Sequence, residues 1–182
     1  TPGGSVANTI SGLGSLGVRT AFIGRVADDE LGLSYAVAMA KEGTEFPNPP
    51  VANAALRTSR SMIFVSPDGE RSMNTYLGIS SDLGPADVSE DVVSNCDVLF
   101  LEGYLFDKDP GKAAFRKAAD QARLSGARAG ISLSDPFCVD RHRDDFRTLV
   151  SGPLDFFLCN EEELKSLYQT EDLTVALALG AA

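Results

Sequence analysis

Gly3 and Gly4 stand side by side, with Ser5 and Asn8 just beyond them. Paired glycines admit positive φ and let a ligand approach the main chain, and amides exposed at the start of a following helix attract polar or anionic groups. A loop of this kind entering a helix can hold a polar ligand through Gly3, Gly4 and Asn8; it can equally be a plain turn. Three further places carry polar residues directly after an apolar run: Glu102-Gly103-Tyr104 after Leu101, Ser134-Asp135-Pro136 after Leu133, and Asn160 with Glu161-Glu162-Glu163 after Cys159. Ligands of open α/β sheets bind beyond the carboxyl ends of the strands, so these residues predict a cleft along one sheet edge. Each also has a simpler explanation. Asn160 suits a helix N-cap with the glutamates complementing the helix dipole, Glu102 a solvated loop carboxylate, and Asp135 a strand-end turn. His142, in Asp140-Arg141-His142-Arg143, reads as a surface or cap residue.

The elements that position these residues alternate helix and strand, the rhythm of a layered α/β protein. Residues 5–16 are small, apolar and helix-compatible, and Gly12 and Gly14 within them point to close packing against a neighbour. Residues 18–23 predict a strand, and residues 31–40 a helix stopped near Gly43. Prolines at 47, 49 and 50 then break regular structure. Residues 60–65 and 71–76 predict two strands joined by Ser66-Pro67-Asp68-Gly69-Glu70, whose Pro-Asp-Gly core forms turns, so a β-hairpin is inserted in the α/β chain. Alternation resumes after Ser80: a helix at 87–95, then a strand at 97–101 apolar enough to be buried on both faces. A helix at 111–124 closed by Gly126, a strand at 129–134, a helix at 142–150 and a strand at 155–159 follow, with helices at 161–167 and 173–179.

A chain of 182 residues builds about one domain around one substantial core. Twenty-six acidic residues against 16 basic ones give a formal charge of −10. That field repels phosphate backbones and no Lys/Arg cluster reverses it locally, so nucleic acid is not expected as a partner. No apolar run approaches the roughly 20 residues of a membrane span, and no signal-like segment opens the chain. The expectation is a cytoplasmic protein without a membrane partner. Cys96, Cys138 and Cys159 are far apart, and with His142 as the single histidine they suggest no zinc cluster. They read as reduced, mostly buried thiols. The opening Thr1-Pro2-Gly3, without methionine, suggests a processed, trimmed or partial chain.

The spacing Gly3-Gly4-x-x-Ala7-Asn8, followed by Gly12, Gly17, Gly24, Asp28-Asp29 and Gly32, resembles the first signature of the PfkB (ribokinase-like) family of carbohydrate and nucleoside kinases. Asn160-x-x-Glu163 resembles that family's NxxE motif. The resemblance implies an α/β fold, a ribokinase-like three-layer α/β/α sandwich with an inserted β-hairpin lid whose strands occupy about 44–78. It implies ATP and Mg²⁺ as cofactors and a sugar or nucleoside as phosphoryl acceptor. Gly3, Gly4 and Asn8 would hold the acceptor's hydroxyls, and Glu102 or Tyr104, between which the sequence does not choose, would add a polar contact. Asn160 and Glu163 would lie near the nucleotide phosphates and Mg²⁺, Glu163 acting through ordered water, with Asp135 near the phosphate path. The lid would exclude water and offer a homodimer surface. Residues 61–75 and 101–105 are similar to bacterial adenosine-kinase-like members, which implies adenosine or a related nucleoside, with ribose or fructose second.

Two departures qualify that expectation. The chain ends at Gly180-Ala181-Ala182 without the family's Gly-Ala-Gly-Asp motif, whose aspartate is the general base, and it lacks the usual N-terminal strand. Residues 1–182 therefore read as a partial kinase domain, inactive alone. The alternative is a non-catalytic sugar- or nucleoside-binding module of the same fold. A dinucleotide binder is the weaker reading, because no GxGxxG follows a predicted strand.

Overall fold

Gly4 leads into the first helix, α1 (Ser5–Ser15), with φ +125°, a value that glycine adopts without strain. The computed structural model describes residues 3–181, which divide between Leu83 and Gly84 into two compact units. In the first unit α1 is followed by strand β1 (Thr20–Ala21), helix α2 (Glu30–Lys41) and strand β2 (Thr44–Glu45). β1 and β2 pair in parallel, Thr20 opposite Thr44, with their hydroxyl oxygens 2.9 Å apart. Gly14 sits against that pair: a Cβ there would stand 2.6 Å from the Glu42 carbonyl oxygen and 2.7 Å from Thr44 Oγ1. Close packing thus accounts for Gly14. It does not account for Gly12, whose Cβ would meet nothing within 4 Å. The strand expected over 18–23 is confined to two residues, with one further ladder bond from Phe22 N to Glu45 O at 2.8 Å. Its partner stops at Glu45, where Phe46 and the prolines follow, and proline has no N–H to continue a ladder.

The hairpin lies where the sequence places it. Strands β3 (Arg60–Val65) and β4 (Arg71–Tyr76) pair antiparallel from Arg60↔Tyr76 to Val65↔Arg71. Gly69 takes φ +89° in the connection, and the Ser66 and Glu70 main chains close it with a 2.9 Å bond. Every residue of both strands is exposed. Antiparallel pairing therefore occupies only 60–76 of the 44–78 insertion, because Thr44 and Glu45 pair with β1 instead.

The second unit contains helix α3 (Glu90–Ser94), strand β5 (Val98–Glu102), helix α4 (Asp109–Ser125), strand β6 (Arg128–Ser132), helix α5 (Pro136–Val150), strand β7 (Phe156–Leu158), and helices α6 (Glu161–Tyr168) and α7 (Leu173–Gly180). β5, β6 and β7 form one parallel sheet in that order, with α4 and α5 as the crossovers that parallel pairing requires. α4 buries Ala114, Phe115, Ala118, Ala119 and Ala122 along one stripe and ends at Gly126, φ +80°. Phe106 lies at the centre of the core, stacked on Phe146 at 4.6 Å and edge-on to Phe115 at 5.4 Å. Burying such a ring stabilises the unit by roughly 2–3 kcal/mol.

Four expectations need correction here. The helix predicted over 87–95 divides into a 3-10 turn, Pro85–Asp87, and α3, because Ser89 caps a new helix by accepting from Val92 N. α5 begins at Pro136 rather than near 142, with Asp135 as its N-cap and a break at His142 (φ −128°, ψ 27°). His142 is accordingly neither a surface nor a cap residue: its side chain is largely buried, its ring lies 6.3 Å from that of Phe106, and Nε2 is 2.8 Å from Asp107 Oδ1. The cysteines are free, but only Cys138 is buried; Cys96 is half-buried and Cys159 exposed.

Candidate functional site

Because β5, β6 and β7 run the same way, their carboxyl ends share one edge: Glu102 is in register with Ser132, and Ser132 with Leu158. Just past β7, Asn160 caps α6. Its Oδ1 accepts from Glu163 N at 2.8 Å, while Glu163 Oε2 and Oε1 accept from Asn160 N at 3.2 Å and Nδ2 at 2.8 Å. This reciprocal cap satisfies otherwise orphaned amides of the first turn, and it also holds the Glu163 carboxylate in one orientation. Glu163 is only 6% exposed. Burial pushes its carboxyl above the usual range against the Asn160 N–H bond, and the negative charges of Asp135 and Glu102 push the same way.

Past β5 and β6, Ser134 links two candidates. Its Oγ donates to Glu102 Oε1 at 2.5 Å, and its carbonyl oxygen accepts from Tyr104 Oη at 3.1 Å. Burial, then the neighbouring Asp135 and Glu102 carboxylates, push the Tyr104 phenol up to about 12, so it remains a neutral donor at physiological pH. Asp135 accepts from Cys138 N at 2.7 Å as the cap of α5. The Cys138 thiol, buried and beside Asp107 and Asp135, is pushed up to about 12, so it stays protonated at physiological pH. Glu102, Tyr104, Asp135, Asn160 and Glu163 therefore gather at one sheet edge, with Glu102 and Tyr104 both tied to Ser134. The role of Ser134 was not visible in the sequence, although its place after a buried strand and before Asp-Pro marked a strand end.

Gly3, Gly4 and Asn8 belong to the first unit. No side chain caps α1 at Gly4. Gly3 and Asn8, both exposed, line a cavity of about 310 Å³ with Ala7, Tyr35, Met39 and Glu42. Burial pushes the Tyr35 phenol up to about 12. Gly4 supplies the turn into the helix rather than the cavity wall.

Among the described residues no group of three or more His, Cys, Asp or Glu side chains is placed to hold a metal by itself, and Mg²⁺ in phosphoryl-transfer sites is held mainly by one or two carboxylates, waters and substrate phosphates. Both oxygens of Glu163 are already engaged by Asn160.

A family model described as pfkB family carbohydrate kinase matches residues 1–182. Among solved structures, the adenosine kinase of Sinorhizobium meliloti is 46% identical, with a TM-score of 0.92 over 97% of this chain and 54% of that one. Fructokinase-2 of Solanum habrochaites is 31% identical over 128 residues, 69% of this chain and 39% of the relative. The 5-dehydro-2-deoxygluconokinase of Bacillus subtilis is 30% identical over 133 residues, 72% of this chain and 41% of the relative. The chain thus matches about two fifths of the length of these curated relatives and about half of the solved adenosine kinase. The α/β class and ribokinase-like fold expected from the sequence are those of these neighbours. Glycines and Asn8 at the start of α1, an Asn160–Glu163 cap after β7 and a match running through all 182 residues lead to one conclusion: the chain belongs to the pfkB family of carbohydrate kinases.

Proposed function

We propose that this chain is part of a kinase that transfers the γ-phosphoryl group of ATP to a hydroxymethyl group of a nucleoside resembling adenosine. The observation that carries the reading is the convergence of Glu102, Tyr104, Asp135 and Glu163 at the carboxyl edge of β5–β7, in a chain 46% identical to an adenosine kinase. Phosphoryl transfer is mostly positioning and charge stabilisation, which suits an edge of oriented polar groups. In this reading Gly3, Gly4 and Asn8 hold acceptor hydroxyls, Glu102 and Tyr104 add contacts at the end of β5, and Asp135 lies near the phosphate path. ATP supplies the phosphoryl group and Mg²⁺ the countercharge; Asn160 and Glu163 order that region, Glu163 through water. The general base is assigned to a Gly-Ala-Gly-Asp segment, which these 182 residues do not contain. Residues 1–182 are then a partial kinase domain, with the 60–76 hairpin as a lid that excludes water from the transfer.

A sugar acceptor such as fructose or ribose is the second reading, supported by 31% identity to a fructokinase. The free cysteines suit a reducing compartment, and we place the protein in the cytoplasm. The exposed apolar residues of the hairpin support a homodimer through that surface.

The test is ATP-dependent phosphorylation of a nucleoside and sugar panel by residues 1–182 and by the full-length gene product. Turnover by the longer protein alone, fastest on adenosine, is the expected result. Preference for a free sugar selects the second reading. Ligand binding without turnover in either protein overturns the kinase reading in favour of a non-catalytic binding module.

A further inference from the structure

Ser134 occupies a backbone conformation that serine avoids. Its φ is +77°, and Asp135 N donates across it to Leu133 O at 3.1 Å, a γ-turn of the strained, positive-φ kind. Both flanks are pinned. Leu133 is completely buried and donates its N–H to Leu158 O at 3.1 Å, while Asp135 caps α5 through Cys138 N. A glycine would fit such a turn without strain, so the serine side chain must contribute something glycine cannot. What it contributes is a hydroxyl placed between two strand ends: Oγ lies 2.5 Å from Glu102 Oε1 and 3.3 Å from Ser132 O. The same turn rotates the Ser134 carbonyl toward Tyr104 Oη, which donates to it at 3.1 Å. Gly103, between the two tethered residues, lets this happen. A Cβ there would stand 2.6 Å from Ser132 O and 2.9 Å from Ser134 Oγ, so any larger residue would push β5 off the turn.

We propose that Ser134 is a positioning residue: through its hydroxyl and its carbonyl, presented by the γ-turn, it holds Glu102 and Tyr104 as one rigid pair facing the phosphoryl acceptor. The proposal rests on the reading of β5's carboxyl end as the acceptor contact. Backbone strain kept at a non-glycine residue is tolerated where surrounding structure over-determines it, and functional sites are where such strain gathers. A donor held on Glu102 Oε1 sets the plane of the carboxylate before substrate arrives. The tether on Tyr104 does the same for the phenol. Neither requires Ser134 to touch the acceptor itself.

The test uses the full-length protein and two variants, Ser134→Gly and Glu102→Gln, alone and combined. Ser134→Gly relieves the positive φ while deleting the hydroxyl, so the expected variant melts no lower than wild type. Its KM for the acceptor rises roughly tenfold while its KM for ATP is unchanged, because a positioned charge-assisted hydrogen bond is lost on one substrate only. The double variant is expected to be no worse than Glu102→Gln alone, since the serine acts through the carboxylate. An acceptor KM within about twofold of wild type in Ser134→Gly overturns the proposal. So does a fully additive double variant, or a rise in both KM values together with a lower melting temperature, which marks a structural role. Those outcomes leave the kinase reading standing. A wild-type protein that neither binds nor phosphorylates any acceptor overturns the kinase reading and this proposal together.

Discussion

At Glu163 a single carboxylate serves two masters. As the third residue of α6 it completes the cap with Asn160, yet it is buried beside the Asp135 and Glu102 charges, and its carboxyl is raised above the usual range. A carboxyl raised in the folded state binds its proton more readily there than in the unfolded chain. Its ionisation therefore costs stability as pH rises above its ordinary value of 4.5. Glutamine can keep the bond from Asn160 N without the charge, giving up the second bond from Asn160 Nδ2. Glu163→Gln is thus expected to raise the melting temperature at pH 7 and to lose that advantage at pH 4, as thermal unfolding across pH would show. If the full-length protein is the kinase proposed above, the same variant is expected to shift the Mg²⁺ dependence of its rate. Identical Mg²⁺ titrations would leave Glu163 as a helix cap only.

Among the elements, α2 shows how a motif can be architectural. Asp29 Oδ1 accepts from Gly32 N at 2.9 Å and from Thr58 Oγ1 at 2.6 Å, and Oδ2 accepts from Thr58 N at 3.0 Å. Thr58 Oγ1 in turn accepts from Ala27 N at 3.0 Å. Gly32 is required at the crossing, since a Cβ there would lie 2.0 Å from Ala27 O. The carboxylate therefore anchors the start of α2 to the chain ahead of the hairpin. The Thr58 hydroxyl and then its N–H hold the Asp29 carboxyl down at about 2. With the folded value below the ordinary 3.8, the stabilisation is complete above pH 3.8 and is lost as pH falls through about 2. Asp29→Ala is expected to cost about 2 kcal/mol at pH 7, the loss of a cap and of charged hydrogen bonds. Chemical denaturation at pH 7 and pH 2 measures it, and the deficit should shrink at the lower pH. An equal deficit at both would mean that packing, not the carboxylate, is responsible.

For the whole molecule, the hairpin raises the question of association. Opposed residues of an antiparallel pair share a face, which puts Met62 and Phe64 on one side and Ile63, Val65 and Met73 on the other. Phe64 is 60% exposed and Ile63 53%. Exposed apolar surface on both faces, with unpaired strand edges, favours a partner sheet. A second copy of this chain, the partner proposed above, is self-complementary by symmetry. Phe64→Asp together with Ile63→Asp is expected to convert a dimer to a monomer in sedimentation without lowering the melting temperature of either compact unit. A wild-type protein that sediments as a monomer at all concentrations would remove the hairpin as a dimer surface.

Sequence alone determined what local interactions determine. The β3–β4 hairpin was legible because Pro67-Asp68-Gly69 selects its turn, and the end of α4 because Gly126 marks a stop. The Asn160–Glu163 cap was legible because its partners lie three residues apart. The family resemblance rested on such local spacings as well. Tertiary structure decided what depends on distant partners. β1 is short because β2 ends before a proline-rich stretch. α5 starts at Pro136 because Asp135 caps it, while His142, the expected start, is a break paired with Asp107 from another element. The joining of Glu102, Tyr104 and Ser134 belongs to this second class. Residues some 30 positions apart meet only after β5 and β6 pair in parallel, and no local pattern encodes the register that brings strand ends together.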